Sequence, residues 1–335
     1  MDKTISLTLK IIGILGGITL LYFVRDIIAY LLMAFVLSSA LRPGVDFLEK
    51  KKIPRFVSAL FIFVLVFLVL GLVIFLTLPS LVSEIESFTS NLPQYWQNVL
   101  DYLSQFEKWM AGIPFEENIK EGITQSFQKI SQLLSGSIRV VYRFFAEIAN
   151  LLFLLVVAFY LSVEKNIGKR FSHFLFARKK DLEEKVLRYW QIAEETAGRW
   201  LQGYVILGII VGILVYIGLS ILGLKYSLIV AVLAGLLEII PWLGPVLSGA
   251  IGVLFALLQG GWAMGFWVVI IFLIVQQFEN YLIVPFVMRE KVNLNPLLTI
   301  LVLFIGQRLA GVVGMLLAVP LTAILINIWK NSQKE

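Results

Sequence analysis

The sequence predicts an all-α integral membrane protein with about six full transmembrane helices, two broken re-entrant helical hairpins of opposite orientation and an extracellular helical arm. Of its 335 residues, 59% are hydrophobic and 15% are charged, and the mean hydropathy of +0.90 is far above that of a soluble protein. Several apolar runs reach the ~20 residues that a membrane-spanning helix needs. The runs cover residues 11–24, 27–41, 56–78, 140–163, 201–222 and 263–286.

Residues 1–79 are predicted to form the first three transmembrane helices. The first run follows Lys3 and Lys10, as the apolar part of a signal peptide would. No small-residue cleavage site follows Val24, however, and another apolar run begins at once. We therefore expect the first run to remain as a membrane helix.

The distribution of basic residues predicts the orientation of the helices, because short cytoplasmic loops are rich in Lys and Arg. Residues 42–55 contain five basic residues and two acidic ones, and residues 164–199 contain nine and six. Residues 80–138 contain seven acidic residues and three lysines. If the N-terminus is cytoplasmic, the two basic segments lie in the cytoplasm and the acidic segment lies outside, in agreement with all three counts. The net charge of +6 therefore reflects topology and does not indicate nucleic-acid binding.

Residues 80–138 are too polar to span a membrane, yet their apolar residues recur with helical spacing. We expect a two-helix extracellular arm, in which one helix begins at residues 91–93 and the pair turns at residues 112–114. Two interpretations stay open: the arm could act in gating or assembly, or it could rest on the membrane or on a neighbouring subunit. Residues 139–163 are the predicted fourth transmembrane helix.

Residues 164–200 are predicted to form a cytoplasmic interfacial helix. After Asp181 the apolar residues fall on one helical face, and the Lys and Arg side chains would meet lipid head groups. The single histidine, His173, lies in this basic stretch and is expected to be solvated.

Residues 201–330 are the predicted transport core and contain two hairpins, at 226–258 and 296–329. The first cannot be one straight helix, because the prolines in its middle remove backbone donors and disfavour helix in the residue before each. Its arms of ~13 to 15 residues would be roughly 20 to 23 Å long, too short to cross ~30 Å of hydrocarbon. The residues predicted to break or bend the core helices are Pro241, Gly244, Pro245, Pro285, Gly306, Gly311, Gly314 and Pro320.

The two hairpins are predicted to enter the membrane from opposite faces. If the first enters from outside, the helix at 263–286 runs inward and delivers Arg289 and Lys291 to the cytoplasm. If the second enters from inside, Lys330 and Lys334 end there as well, which predicts a cytoplasmic C-terminus. Broken helices that meet from opposite faces are typical of secondary transporters built from inverted repeats, where the irregular backbone lines a cavity.

Two carboxylates in this core are the leading candidates for a functional site. Between Tyr226 and Met288, Glu238 and Glu279 are the only side chains charged at neutral pH. A carboxylate in hydrocarbon costs on the order of a few kcal/mol, so such residues usually face a cavity or a partner. Glu238 lies just before the first break, at the negative end of a helix dipole, and is a candidate proton or sodium carrier.

Other polar residues could complete the site. Gln276, Glu279 and Asn280 are spaced at i, i+3 and i+4 and so share one helix face, which Gln277 extends. Arg308, at the tip of the second hairpin, could pair with either glutamate or hold an anionic group.

Each of these residues also has a structural interpretation. Glu279 could belong to a polar network between helices, and Arg308 could be a structural counter-ion or extend to the membrane surface. The glycines could serve only the close packing of helices.

Several motifs of the C-terminal third occur together. They are Glu238-Ile-Ile-Pro-Trp-Leu-Gly-Pro245, Gln276-Gln-Phe-Glu-Asn280, Pro285, Asn295-Pro296 and Gly311-Val-Val-Gly-Met-Leu-Leu-Ala-Val-Pro320. With Arg42-Pro43 after the second helix, this set closely resembles the autoinducer-2 exporter (AI-2E) family of bacterial membrane proteins, also described as PerM-like or TqsA-like permeases. The resemblance covers essentially the whole chain.

The resemblance implies a multi-pass transporter of the bacterial cytoplasmic membrane that forms a homo-oligomer, with a pentamer as one candidate. The family takes its name from the export of a signalling molecule, and some members resemble sodium/proton antiporters. Two positions depart from the family pattern: Asn295 stands where histidine often precedes the proline, and Arg308 stands where an uncharged residue is common. The first departure weakens a proton-relay role there, and the second suggests a feature of this chain's own substrate or stability.

Three functional hypotheses follow. The chain could export a small polar solute with proton or sodium coupling, it could be a sodium/proton antiporter, or it could be a non-transporting membrane scaffold. We expect no enzyme, because there is no Walker loop, metal-ligand pair or nucleophile motif. The absence of cysteine excludes disulfides and thiolate metal sites. The expected partners are the lipid bilayer, the solute and further copies of the chain, with H⁺ or Na⁺ as coupling ion and no cofactor, resident metal or nucleic acid.

Overall fold

The computed structural model describes residues 23–109, 152–287 and 295–333, together with the single positions 16, 17, 19, 20, 122 and 125. Every regular element within these residues is helical, which confirms the predicted all-α class. The elements are α1 (Arg25–Lys50), α2 (Arg55–Trp109), α3 (Leu152–Val163), α4 (Ile167–Phe176), α5 (Lys180–Ile221), α6 (Ser227–Leu237), α7 (Leu243–Phe278), a π-helical segment (Glu279–Ile283), α8 (Val284–Val287) and α9 (Pro296–Ser332).

Five helical segments in the described part are long and apolar enough to cross a membrane. They are Arg25–Lys50, Arg55–Leu76, Lys180–Ile221, Leu243–Phe286 and Leu297–Ser332, with Leu152–Val163 and Ser227–Leu237 as shorter apolar helices. Large apolar side chains such as Phe75 are mostly exposed on the isolated chain, as expected where lipid covers the surface. The chain is thus a multi-pass membrane protein. Most of the first predicted run, 11–24, and residues 140–151 lie outside the described residues.

Helix α2 differs from the prediction, because it continues through Pro79 and Pro93 instead of starting anew at residues 91–93. The Asn91 side chain donates to the Ser87 carbonyl, 2.6 Å away, and so does not cap a new helix. A proline removes one helical hydrogen bond, and tertiary packing of Phe88 in the core compensates for such a loss. The second half of the predicted arm, including the turn at 112–114, lies outside the described residues.

Helix α5 also differs from the prediction of a separate interfacial helix. The short helix α4 is followed by α5, which runs for 42 residues from the charged segment directly into the apolar span. No proline occurs between Lys180 and Ile221, so nothing in the backbone stops the helix at residue 200.

The chain forms two compact units, which are described separately. The first unit contains α1, the start of α2, α3, α4, the first part of α5 and α9. The second unit contains residues 65–109 of α2, residues 203–221 of α5, and α6, α7, the π-helical segment and α8.

Helix α9, in the first unit, is a hairpin of two arms broken at Ala310 and Gly311. Gly311 has φ 59° and ψ −139°, a conformation that side chains disfavour. Gly306 and Gly314 face each other so closely that a Cβ on either would collide with the carbonyl group of the other. The break therefore lies at 310–311, while Gly306 and Gly314 serve packing and Pro320 is buried inside the second arm.

The second unit contains the other hairpin. Helix α6 ends at Leu237, the chain turns through residues 238–242, and α7 begins at Leu243 and returns antiparallel. Gly244 packs against the Leu237 carbonyl, where a side chain would not fit. Pro241 lies in the turn and Pro245 in the first helical turn of α7, where proline is tolerated.

A kink at Gly261 (φ 68°, ψ −161°) ends the second arm of this hairpin. The remainder of α7 then leads to the π-helical segment. The observed arms thus agree with the predicted boundaries of 226–258 and with the separate helix at 263–286.

Candidate functional site

Glu238 occupies the C-terminal end of α6, directly before the turn. Its N–H donates to the Ala234 carbonyl at 3.1 Å, and the residue is only 3% exposed. This position depends on small residues, which let α5 and α6 pack backbone to backbone. A Cβ on Gly235 would lie 2.7 Å from the Gly208 carbonyl oxygen. A Cβ on Gly208 would be 3.7 Å from the Glu238 Cβ. The Glu238 side chain therefore begins against α5.

Glu279 is the first residue of the π-helical segment and is 7% exposed. Gln276 donates from Nε2 to Glu279 Oε2 at 2.9 Å. The Val284 N–H donates to the Glu279 carbonyl five residues earlier, the hydrogen-bond spacing of a π-helix, whose turn is wider than that of an α-helix. Pro285 follows without an N–H of its own, and its ring crowds the preceding turn, so a local departure from α geometry is expected here.

The carboxyl groups of Glu238 and Glu279 lie close enough to each other to form a hydrogen bond. Because a carboxylate only accepts hydrogen bonds, the two groups can bond to each other only when one of them carries a proton. We call Glu238 and Glu279 the carboxyl pair. With one shared proton the pair has a net charge of −1, and the proton belongs to both groups together.

Tyr204 completes the surroundings of the carboxyl pair and was not predicted from the sequence. It is partly buried beside the core and lies close enough to both carboxyl groups for their charges to act on it. Tyr204 stands one helical turn before Gly208, on the same face of α5. The four-residue spacing between Tyr204 and Gly208 is the only sequence signal that could have identified Tyr204. It becomes informative only once the contact between α5 and α6 is known.

The remaining predicted site residues are arranged differently. The structure brings Gln276 to Glu279, whereas Gln277 and Asn280 are exposed on the isolated chain and make no hydrogen bond to the carboxyl pair. Arg308 lies in the first unit, exposed, two residues before the break of α9. The roles of Gln277, Asn280 and Arg308 in binding stay predictions.

The base of the hairpin, away from the carboxyl pair, is held by α2. Glu84 Oε2 accepts from the Ile229 N–H at 3.1 Å, and the hydroxyl groups of Tyr95 and Tyr226 lie 2.8 Å apart. Asn98 donates to the Leu258 carbonyl at 3.3 Å, so both arms of the hairpin are tied to one helix.

Burial affects the acid in this contact. It raises the pKa of the Glu84 carboxyl, although the N–H groups of Leu228 and Ile229 act in the opposite direction.

Within the described residues there is no group of three or more His, Cys, Asp or Glu side chains that could hold a metal ion. At the carboxyl pair, side-chain oxygens come from two glutamates and from Gln276, which keeps its carbonyl oxygen as an acceptor. These three side chains could coordinate a monovalent cation through their oxygen atoms.

A polar cavity of about 570 Å³ lies in the first unit between α1 and α5. Its lining consists of Ser39, Arg42, Pro43, Asp46, Gln191, Glu194, Glu195, Gly198, Arg199 and Gln202. Its more buried charges are already paired: Arg42 with Glu194, and Asp46 with Arg55 at 2.7 Å. Compared with the carboxyl pair, this cavity offers a ligand fewer unsatisfied groups.

Similar proteins are known across nearly the full length of the chain. The sequence model of a family described as "AI-2E family transporter" matches residues 11–334. "Putative transport protein YueF" of Bacillus subtilis (strain 168) is 28% identical over 320 residues, which cover 92% of this chain and 85% of YueF. "Putative permease PerM" of Escherichia coli (strain K12) is 27% identical over 347 residues, which cover 96% of this chain and 92% of PerM.

Proposed function

This chain belongs to the AI-2E family of transporters, and on that basis we propose that it is an ion-coupled secondary transporter that exports a small polar solute. The family resemblance predicted from the sequence is confirmed by these matches. The solute would be one similar to autoinducer-2, as the family name implies. Because the family consists of transporters and permeases, we propose no enzymatic activity.

The observation that carries the proposal is the carboxyl pair. Two neighbouring acids, one of them at the tip of a broken helical hairpin, can share one proton and release and rebind it as their surroundings change. A solute that changes the separation or the hydration of the two groups would change their proton affinity. Proton binding and solute binding would then be coupled at one site.

We further propose that the chain lies in the bacterial cytoplasmic membrane with both termini in the cytoplasm. This orientation rests on the counts of basic residues in the connecting segments. A homo-oligomer is proposed as well, because the large apolar surface of the isolated chain leaves room for contacts with further copies besides lipid.

Sodium/proton antiport is the second candidate function. The carboxyl pair and the Gln276 carbonyl oxygen could hold Na⁺ in place of the proton. In that case sodium would drive proton flux without any organic solute. The third hypothesis, a non-transporting scaffold, predicts neither solute-dependent nor sodium-driven proton flux.

Flux measurements on the purified chain in liposomes test the proposal. A pH-sensitive dye inside the vesicles reports proton movement while autoinducer-2, small polyols and amines, or Na⁺ are supplied in turn. We expect solute-dependent proton flux in the natural chain and its loss in Glu238→Gln and Glu279→Gln. Glu184→Gln is the matched control, because Glu184 is an exposed carboxylate without a hydrogen bond or ion pair in the described part of the chain. Proton flux that survives both glutamine variants would refute the carboxyl-pair mechanism.

A further inference from the structure

Glu238 has a buried oxygen atom, Oε2, without a hydrogen-bond partner. Leaving such an atom unsatisfied is unfavourable, more so when it carries charge, and native structures rarely contain such atoms without a structural or functional reason. The residue is 3% exposed, so surface water does not reach this atom freely. The atom therefore needs a hydrogen-bond donor, which either the proton of the carboxyl pair or a bound cation could supply.

Besides the Tyr204 hydroxyl group on α5, the side chains around the pair provide mainly hydrogen-bond acceptors. The only charged residues from Ser227 to Val287 are the two acids of the carboxyl pair. The amide nitrogen of Gln276 already donates to Glu279, which leaves the Gln276 carbonyl oxygen as a further acceptor. Once the proton has left, three side chains offer acceptor atoms: Glu238, Glu279 and the carbonyl group of Gln276.

Different ligands fit these acceptors to different degrees. An anionic solute would be repelled by the negative charge of the pair. A divalent cation such as Ca²⁺ is usually surrounded by about six to eight oxygen atoms, more than these three side chains supply. A primary ammonium group has three N–H donors and one positive charge, so both its donor count and its charge match the acceptors.

We propose that the carboxyl pair binds the ammonium group of a small organic amine in place of the shared proton. With one proton the pair has a net charge of −1. With an ammonium ion bound and the proton gone, two carboxylates and one cation again give −1. The loaded site has the same charge in both states, so amine and proton exchange one for one without a change in the charge carried by the hairpin. This proposal rests on the proposed proton coupling and names the chemical class of its solute.

Three probes of similar size separate the contributions of charge and hydrogen bonding. 4-Amino-1-butanol carries an ammonium group at neutral pH, 1,4-butanediol replaces it by a hydroxyl group, and the N-trimethyl derivative of the amino alcohol keeps the charge without N–H donors. Binding to the purified natural chain is measured by calorimetry in weak buffer, with a pH dye that records proton release.

We expect the amino alcohol to bind with release of about one proton per chain, because the two cations compete for one site. Its affinity should fall about tenfold for each unit by which the pH is lowered within the range in which the pair holds one proton, because the proton then competes more strongly. The diol and the trimethyl derivative should bind at least tenfold more weakly and release no proton.

A second measurement uses the natural chain alone and does not depend on the folding of any variant. Dicyclohexylcarbodiimide modifies protonated carboxyl groups in apolar surroundings, so it should label Glu238 or Glu279, as located by peptide mass spectrometry. The amino alcohol should slow this labelling, and the diol should not.

Equal protection and equal binding by the diol would overturn the ammonium assignment but leave proton-coupled transport of a neutral solute intact. The ammonium assignment would also be wrong if no amine bound at any pH while proton-coupled flux still depended on both glutamates. Proton-coupled transport of a neutral solute would again remain intact. Loss of the glutamate dependence itself would instead refute the proposed function.

Discussion

The contact between α5 and α6 makes a graded prediction about the position of Glu238. A Cβ at Gly235 would lie 2.7 Å from the Gly208 carbonyl oxygen, 0.7 Å short of the 3.4 Å at which ordinary contact begins. A Cβ at Gly212 would lie 3.2 Å from the Ala231 carbonyl oxygen, short by 0.2 Å. Backbone atoms cannot rotate away, so Gly235→Ala must push the helices apart, whereas Gly212→Ala needs only a small adjustment.

Overpacking of this kind costs about 1–3 kcal/mol, and we expect Gly235→Ala to fall in that range and Gly212→Ala below 1 kcal/mol. The displacement in Gly235→Ala also moves Glu238, one turn further along α6, away from Glu279. A shift of this size is expected to lower proton-coupled flux by roughly tenfold or more, since site geometry is sensitive to displacements of about 1 Å.

Thermal unfolding in detergent and dye-reported flux in liposomes measure the two effects. Gly71→Ala is the control, because a Cβ there meets no atom within 4 Å while the change in helix propensity is the same. If Gly235→Ala matched Gly71→Ala in both stability and flux, the backbone contact between α5 and α6 would not be what positions Glu238.

Three further substitutions test other parts of the structure. Burial raises the pKa of Glu84 above its ordinary value of 4.5, so the stabilising contribution of Glu84 is present in full below pH 4.5 and is lost as the pH rises through the raised pKa. Glu84→Gln should remove this pH dependence. The melting temperature of the variant should therefore increase relative to that of the natural chain as the pH rises. Equal pH profiles of the melting temperature would contradict that assignment. Tyr204→Phe should change the pH profile of flux without lowering the melting temperature by more than a few degrees, and an unchanged profile would mean that the Tyr204 hydroxyl does not act on the carboxyl pair. Gly311→Ala, at φ 59°, should destabilise the chain by about 1 kcal/mol in thermal unfolding, while Gly71→Ala should not.

The sequence was sufficient to predict the fold class and the position of the first hairpin. Long apolar runs and the proline-rich stretch around Pro241 act locally, through hydropathy and through backbone geometry. The two isolated acids, Glu238 and Glu279, were recognisable because charge is so rare in their surroundings. Each of these signals is read within a single helix and does not depend on what packs against it.

Features that depend on contacts between helices were not predicted correctly. The continuation of α2 through Pro93 depends on packing of the helix against other parts of its unit, so local propensity gave the wrong boundary. The approach of Gly208 to Gly235, and with it the role of Tyr204, arises from two segments about 27 residues apart whose faces cannot be matched from periodicity. The π-helical segment at Glu279 likewise changes the helix face on which Asn280 was expected.

The central claim is that Glu238 and Glu279 hold one proton jointly, and a double-mutant cycle on proton-coupled flux tests it most directly. Proton flux per transported solute is measured for the natural chain, Glu238→Gln, Glu279→Gln and the double variant, all at matched amounts of folded protein. If the proton is shared, each single variant loses the coupling as completely as the double variant does, because either loss removes the pair. Losses that multiply from the single variants to the double variant would mean that the two carboxyl groups act independently, and would contradict the account.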